Sequence, residues 1–284
     1  MKIQAMKEEP QLYLVPTPIG NFADMTFRSI EILNKVDIIF CEDTRVTKVL
    51  LSHFNIKTPL SSYHIFNEES RVAEVLEVLK LGKKIALVSD AGLPCISDPG
   101  YLLVRRVLDE GYHVSSLPGA NAGLTALIAS GLPTDKFYFY GFLDHKKTQK
   151  EKELLTIRDL KDTIIFYESP LRLKDTIILM EQILGNREVV IARELTKKYE
   201  EYIRGMLSEI CQLELELKGE IVIVVKGASQ TYLQMDLNKQ TLESHFNYYI
   251  NMGIEEKEAM KKVAKDRNIS KSEIYKQIKS KVNV

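Results

Sequence analysis

Six short segments of this chain carry carboxylates, arginine or asparagine, four of them with proline or glycine, and each follows an apolar run. They are Pro16-Thr17-Pro18-Ile19-Gly20-Asn21, Glu42-Asp43-Thr44-Arg45, Asp90-Ala91-Gly92-Leu93-Pro94, Pro118-Gly119-Ala120-Asn121-Ala122, Glu168-Ser169-Pro170 and Arg193-Glu194-Leu195-Thr196-Lys197. Turn formation by proline and glycine would explain one or two of them, not polar side chains after six runs. The first is stiff and poor in donors because its two prolines lack N–H groups, which suits an apolar or sulfonium-bearing ligand better than a phosphate. No Gly-x-Gly-x-x-Gly, Gly-x-x-x-x-Gly-Lys-Ser/Thr or Gly-x-Ser-x-Gly pattern occurs, so dinucleotide, P-loop and hydrolase readings lack support. The histidines, His53, His64, His113, His145 and His245, show no metal spacing, and no metal site is expected. Cys41, Cys95 and Cys211 are far apart and odd in number, which fits a reducing cytoplasm better than a disulfide framework.

The elements that must position these segments are short. Strands are expected at Leu12–Val15, Ile38–Cys41, Lys84–Ser89, His113–Leu117, Phe137–Tyr140, Thr163–Tyr167, Glu188–Ala192 and Glu220–Val225. Several are apolar without alternation, as in strands covered on both faces. Helical stripes lie between them: Val72, Val75, Leu76 and Leu79 recur on one face, and Leu103, Val107 and Leu108 precede Gly111. The alternation predicts parallel α/β sheets, and the break at Gly131-Leu132-Pro133 makes two sheets likelier than one. Ligands of parallel sheets bind beyond the carboxyl ends of the strands, so the polar segments should gather on one rim, facing an interdomain cleft.

Length, charge and hydropathy narrow the class further. The 284 residues suffice for two domains, and 39 basic side chains balance 39 acidic ones. No apolar run is long enough for a membrane helix, and the polar stretch Met1 to Gln11 does not read as a signal peptide, so a cytoplasmic protein is expected. The charge is unevenly spread: from Lys257 to the end, nine basic residues face three acidic ones. A capping box at Ser270 and Glu273 and a stripe of Met260, Val263 and Ala264 predict two short helices joined tightly, like a helix-turn-helix. Such a tail is either a solvated face or a foothold for nucleic-acid phosphates.

Taken with Ile96-Ser97-Asp98-Pro99-Gly100, Leu117-Pro118-Gly119 and Gly141-Phe142-Leu143, these motifs in this order closely resemble the tetrapyrrole methylase superfamily, in its ribosomal-RNA branch. The resemblance runs from about Leu12 to Val225 and more loosely through the tail. It implies α/β architecture: two domains of the tetrapyrrole methylase type, residues 1–119 and 120–230, with S-adenosylmethionine in the cleft between them. A helical, basic, RNA-binding segment, residues 231–284, follows. It also implies 2′-O-methylation of a cytidine ribose in small-subunit rRNA near the decoding centre, with rRNA or the small ribosomal subunit as partner, and a homodimer. Cofactor contacts carried over are Pro18, Gly20, Asp90, Ala91, Gly92, Leu93, Ala120, Asn121, Ala122, Tyr167, Ala192, Glu220 and Ile221. Leu93 stands where the family has threonine, Cys95 where it has an apolar residue, Ala23 where it has glycine and Asp144 where it has proline. Ala120-Asn121 stands where proline and a small residue are usual.

Methyl transfer to a ribose hydroxyl needs alignment and gains from a general base. Glu42, Asp43, Glu168 and Glu194 are candidate bases, and Arg45 and Arg193 could orient the ribose phosphate; equally, Glu42, Arg45, Arg193 and Glu194 could form a structural ion-pair network. Lys146, Lys147 and Lys150, read as part of a mobile basic loop, and Lys261, Lys262, Lys265, Lys271 and Lys276 in the tail are candidate RNA contacts. Two alternatives remain at this point: a superfamily methyltransferase acting on a corrinoid or other small acceptor, and a metabolite-sensing nucleic-acid-binding regulator.

Overall fold

Leu12 and Leu14 of β1 (Leu12–Val15) face one apolar core while Tyr13 and Val15 face another, the two-residue period of a strand covered on both sides. The structure, a computed structural model, describes residues 9–63, 68–214 and 218–279. Most of the N-terminal stretch read as no signal peptide, together with His64 and Lys281, lies outside them. β1 is joined by β2 (Ile38–Cys41), β3 (Leu60–Ser62), β4 (Ile85–Val88) and β5 (Val114–Ser116) in an all-parallel sheet of order β3-β2-β4-β1-β5. One face is covered by α1 (Phe27–Lys35) and α2 (Thr44–His53) through Ile32, Leu33 and Leu51. The other is covered by α3 (Glu68–Lys80) and α4 (Tyr101–Asp109) through Val72, Val75, Leu79, Leu103 and Val107. From β1 the chain runs to β2 on one side, and from β4 to β5 on the other. These adjacent strands therefore flank the point where strand order reverses, the usual ligand crevice of such sheets.

The second sheet departs from the parallel expectation. It contains β6 (Phe137–Phe142), β7 (Thr163–Glu168), β8 (Glu188–Arg193), β9 (Glu201–Met206) and β10 (Ile221–Val225) in the order β6-β7-β10-β8-β9. Only β6 and β7 pair parallel; β10 runs antiparallel to both neighbours, and β9 antiparallel to β8. The unbroken apolar run of β10, buried at all five positions, reports cover on both faces and says nothing of direction. Because β6, β7 and β8 still point the same way, their carboxyl ends share one rim with the start of β10. α5 (Ala122–Ser130) covers one face through Ala126 and Leu127. α6 (Lys147–Ile157), α7 (Leu173–Leu184) and α8 (Leu207–Ile210) cover the other through Leu154, Ile177, Met180 and Leu207. The segment read as a mobile loop after β6 is thus mostly the helix α6.

Beyond the second sheet lie α9 (Tyr232–Lys239), α10 (Leu242–Asn251), α11 (Glu256–Arg267) and α12 (Lys271–Lys279), four helices where two were expected. They share a core of Phe246, Ala259, Met260, Val263, Ala264 and Ile274. Asn268 turns the chain between α11 and α12 in the left-handed region, φ 53°, and Ser270 accepts a hydrogen bond from the Glu273 amide at 3.2 Å. Asp266, 5 % exposed, accepts hydrogen bonds from Gln234 Nε2 at 2.6 Å and from the Tyr249 hydroxyl. Among the described residues no helix is long and apolar enough to cross a membrane. The Asp266 carboxylate ties three tail helices together. Asp266→Ala, which strands buried donors, should destabilise the tail by about 3 kcal/mol. Denaturant unfolding followed by proteolysis mapping would show the tail cleaved before the sheets.

Candidate active site

The loops after β1 and β4 are pinned by two backbone hydrogen bonds, Thr17 N to Gly92 O at 2.9 Å and Gly92 N to Thr17 O at 3.0 Å. The Thr17 hydroxyl adds a third, to Ser89 O at 2.9 Å. Gly92 has φ +83°, and a Cβ there would press on the Ile19 side chain at 3.3 Å and on Ala120 O at 3.4 Å. Across the domain boundary, a Cβ on Gly20 would strike the Lys197 side chain at 2.6 Å, and one on Gly141 would meet Ser97 Oγ at 3.3 Å. The two rims therefore face each other closely, and between them lies a cavity of about 400 Å³, within the size range of small-molecule sites.

Several residues carried over as cofactor contacts line this cavity: Asp90, Ala91, Gly92, Leu93, Asn121, Ala122, Tyr167, Glu220 and Ile221. Asp90 caps no helix; its Oδ1 accepts the amide of Asp43 at 3.2 Å, tying the loop after β4 to the one after β2. Asn121 caps α5, accepting the Leu124 amide at 2.8 Å, and the Tyr167 hydroxyl accepts the Gly123 amide at 3.2 Å, so the start of α5 abuts the cavity. Pro18, Gly20, Ala120 and Ala192 are not part of this lining, and Gly20 is exposed. Pro18 and Ala192 are buried, and Ala120 and Ala122 pack with Ala192 and Tyr167.

The candidate bases fare differently. Asp43 caps α2 and is clamped by the Arg45 guanidinium at 2.6 Å, which holds its carboxyl down at about 2. Arg45 is largely exposed, and Arg193 pairs with Glu201 across β8 and β9 at 2.5 Å. Glu194 accepts from Lys197 at 2.9 Å and from the Glu220 amide at 3.2 Å; the lysine hydrogen bond lowers its pKa. Arg45, Arg193 and Glu194 each pair within their own domain, with Asp43, Glu201 and Lys197 respectively. Glu42 is half-buried between β2 and α2; neither it nor Asp43, Arg45, Arg193 or Glu194 lines the cavity.

Glu168 does line it, but its carboxylate is saturated. Oε1 accepts the Ser169 amide at 2.8 Å and Arg172 at 2.8 Å; Oε2 accepts Lys150 Nζ at 3.1 Å and the Thr176 hydroxyl at 2.6 Å. Four donors fill the four acceptor sites of a carboxylate, leaving none for a substrate proton. This corrects two expectations together. Glu168 is a poor base, and Lys150 is no RNA contact, because it is 3 % exposed and spent on Glu168 and Thr176. Lys150 faces inward because α6 buries Lys150, Leu154 and Ile157 on one stripe. Lys146, Lys147, Lys261, Lys262, Lys265, Lys271 and Lys276 are exposed.

The lining also includes residues not singled out before: Ile19, Ser89, Ile96, Ser97, Asp98, Phe142, Ser169, Pro170, Leu195, Gly219 and Val222. Ile96 to Asp98 and Phe142 sat within motifs already quoted, and the backbone carried a further signal that sequence does not print. Among the described residues six non-glycine residues have positive φ, and four of them, Cys95, Ser97, Glu194 and Thr196, lie on the two loops facing across the cleft. Such strain persists where the surroundings enforce it, commonly at ligand sites. Gly219, φ +91°, leaves room for Glu194, whose Oε1 would lie 2.0 Å from a Cβ there.

Among the described residues the lining holds no lysine, arginine or histidine; its ionisable groups are Asp90, Asp98, Glu168, Glu220 and Tyr167. Two facing α/β sheets with an acidic, partly apolar cleft between them suit a small ligand rather than a phosphate. The tetrapyrrole (corrin/porphyrin) methylase profile matches residues 11–211, and the chain belongs to that family, a family of methyltransferases. It is 52 % identical to ribosomal RNA small subunit methyltransferase I of Bacillus subtilis (strain 168), over 93 % of this chain and 92 % of that one. It is 49 % identical to the protein of the same name from Halalkalibacterium halodurans, over 96 % of each. Among solved structures, a diphthine synthase shares the fold at TM-score 0.62 and 11 % identity, covering 78 % of this chain and 91 % of that one.

Glu168→Gln or Lys150→Met should break the buried pair and cost about 3–5 kcal/mol, by stranding the remaining charge. Thr176→Val, which removes one neutral donor, should cost about 1–2 kcal/mol. Urea denaturation of the three variants would check the ranking.

Proposed function

We propose that this chain transfers the methyl group of S-adenosylmethionine to the 2′-hydroxyl of a cytidine ribose in small-subunit rRNA, near the decoding centre. The observation that carries the donor half is the cleft lining, which among the described residues bears carboxylates and no cation. A ligand with a sulfonium and an ammonium group fits such a wall, while a nucleotide phosphate would be repelled. Bound there, the donor supplies an activated methyl carbon. The chain's part is to hold and orient: Asp90 offers a carboxylate, Ile19, Leu195 and Val222 offer apolar wall, and the backbone around Gly92 offers polar contacts. Alignment alone can contribute several kcal/mol to such a displacement, about 7 kcal/mol at the low end of well-oriented systems.

The acceptor half rests on the curated relatives, named as rRNA methyltransferases over nearly their full length, and on surface chemistry. Phe142 lies at the cavity with 53 % of its surface exposed and its ring 5.5 Å from that of Tyr167. An exposed ring beside a reaction cleft suits stacking of a splayed, single-stranded base. Exposed Lys146 and Lys147 on the same domain, with Lys261, Lys262, Lys265, Lys271 and Lys276 on the tail, suit backbone phosphates. A corrinoid acceptor would need neither feature. A homodimer belongs to the same reading, with exposed Val46 and Val49 on α2 available for burial, as does action in the cytoplasm, where ribosomal subunits reside.

Incubation with labelled S-adenosylmethionine and small ribosomal subunits, followed by nuclease digestion and mass spectrometry, should place one methyl group on a cytidine ribose. Label on a base, or none on rRNA while a corrinoid is methylated, would overturn the reading. Phe142→Ala should lower kcat/KM for RNA about tenfold or more without altering cofactor affinity. Replacing Lys265, Lys271 and Lys276 together by Ala should reduce the salt slope of RNA binding by about 2 units, read from filter binding across a potassium chloride series.

A further inference from the structure

The geometry points to Asp98 as the catalytic base of this cleft, the group that takes the proton from the acceptor hydroxyl. This rests on the transfer proposed above and adds the residue that the reaction needs. Of the other carboxylates in and around the cleft, five are committed elsewhere. Asp43 is held by Arg45, Glu194 by Lys197, and Glu168 by four donors including two cations. Glu220 pairs with Lys197 at 3.2 Å with its side chain mostly in solvent. Asp90 Oδ1 accepts the Asp43 amide.

Asp98 differs in three respects. It lines the cavity between Ser97 and the wall formed by Ser89 and Asp90. One oxygen, Oδ2, accepts the Ser89 hydroxyl, while among the described residues Oδ1 accepts no hydrogen bond. Among the described residues no lysine or arginine pairs with it. The Ser89 hydroxyl in turn lies 3.1 Å from Ala91 O and accepts the Ala91 amide at 3.2 Å, so the carboxylate plane is fixed through a side chain itself anchored on the loop after β4. Ser97, one residue earlier, has φ 60°, a strained backbone that holds Asp98 toward the cleft.

The electrostatics agree with the geometry. Burial pushes the Asp98 carboxyl above its usual 3.8, the Ser89 hydrogen bond opposes this, and the Asp90 charge adds to it. Tyr167, whose hydroxyl is raised first by burial, feels the Asp98 charge as well, which sets the two groups on the same cavity. A carboxylate with a raised pKa and an open oxygen is the better proton acceptor near neutral pH. In the step, the acceptor oxygen forms its bond to the methyl carbon as its proton passes to Asp98 Oδ1. The carbon–sulfur bond breaks with its electron pair left on sulfur, and the proton then returns to water. Charge balances: a cationic donor and a carboxylate become a neutral thioether and a carboxylic acid.

The test compares wild type with Asp98→Asn and Ser89→Ala, all as full chains. Asp98→Asn keeps the size and the bond from Ser89, and its kcat should fall about 10²–10⁴-fold. Its affinity for S-adenosylhomocysteine, by calorimetry, should stay within about threefold, well under the factor of ten that corresponds to 1.4 kcal/mol. The carboxyl ¹³C resonance that disappears in this variant should titrate above 3.8 in wild type. Ser89→Ala removes the bond that lowers the Asp98 pKa, so the acid limb of kcat should move to higher pH. Retention of a third or more of kcat in Asp98→Asn overturns the assignment. So does an affinity loss that matches the kcat loss, which makes Asp98 a donor-binding group, or a resonance titrating at or below 3.8. If wild-type protein methylates no ribose at all, the proposed acceptor falls and Asp98 with it; if it does and only the variants fail to respond, Asp98 alone falls.

Discussion

Everything at the cleft hangs on the paired backbone hydrogen bonds between Thr17 and Gly92. They join the loops leaving the two strands where the first sheet reverses its order, and they do so with main-chain groups, so side-chain changes nearby can be absorbed. Gly92 takes the left-handed conformation that brings its carbonyl to Thr17, and its missing Cβ spares Ile19 and Ala120. From that anchor Asp90 reaches back to the loop after β2, and Ser89 reaches forward to Asp98. Leu93 sits in this backbone-held stretch and lines the cavity.

The second domain solves a different problem. Its side of the cleft is the meeting of three outgoing strands, β6, β7 and β8, with the start of the incoming β10, and the buried cluster of Lys150, Glu168, Arg172 and Thr176 locks the end of β7 to α6 and α7. A buried charge pair is expensive to desolvate and is weak support for stability in itself. Here it fixes orientation: with every acceptor of Glu168 taken, Ser169 and Pro170 are presented to the cavity in one conformation. The ion pairs of Arg193 with Glu201 and of Lys197 with Glu194 and Glu220 keep the facing loop in register with the incoming strand.

Much of this could be read from the chain alone. Eight strand positions follow from apolar runs, and the cavity-lining loops follow from polar motifs behind them. What escaped has physical causes. β9 is an edge strand, half-exposed and polar, and β3 is three residues long, so neither gives an apolar signal. The direction of β10 is invisible because burial on both faces looks the same whichever way a strand runs. Lys150 reads as a surface lysine by type, and only the helical phase of Leu154 and Ile157 places it inside. Asp98 sat in a quoted motif, but that it pairs with a hydroxyl and, among the described residues, with no cation is a three-dimensional fact.

A wall whose charges, among the described residues, are all negative tells a ligand apart before and after that ligand gives up a positive one. Under the proposed reading, Asp90, Asp98 and Glu220 attract the incoming donor more strongly than the spent one, which has become uncharged at sulfur. Release is then favoured by the reaction itself, and the cleft needs no separate device to eject what it has used.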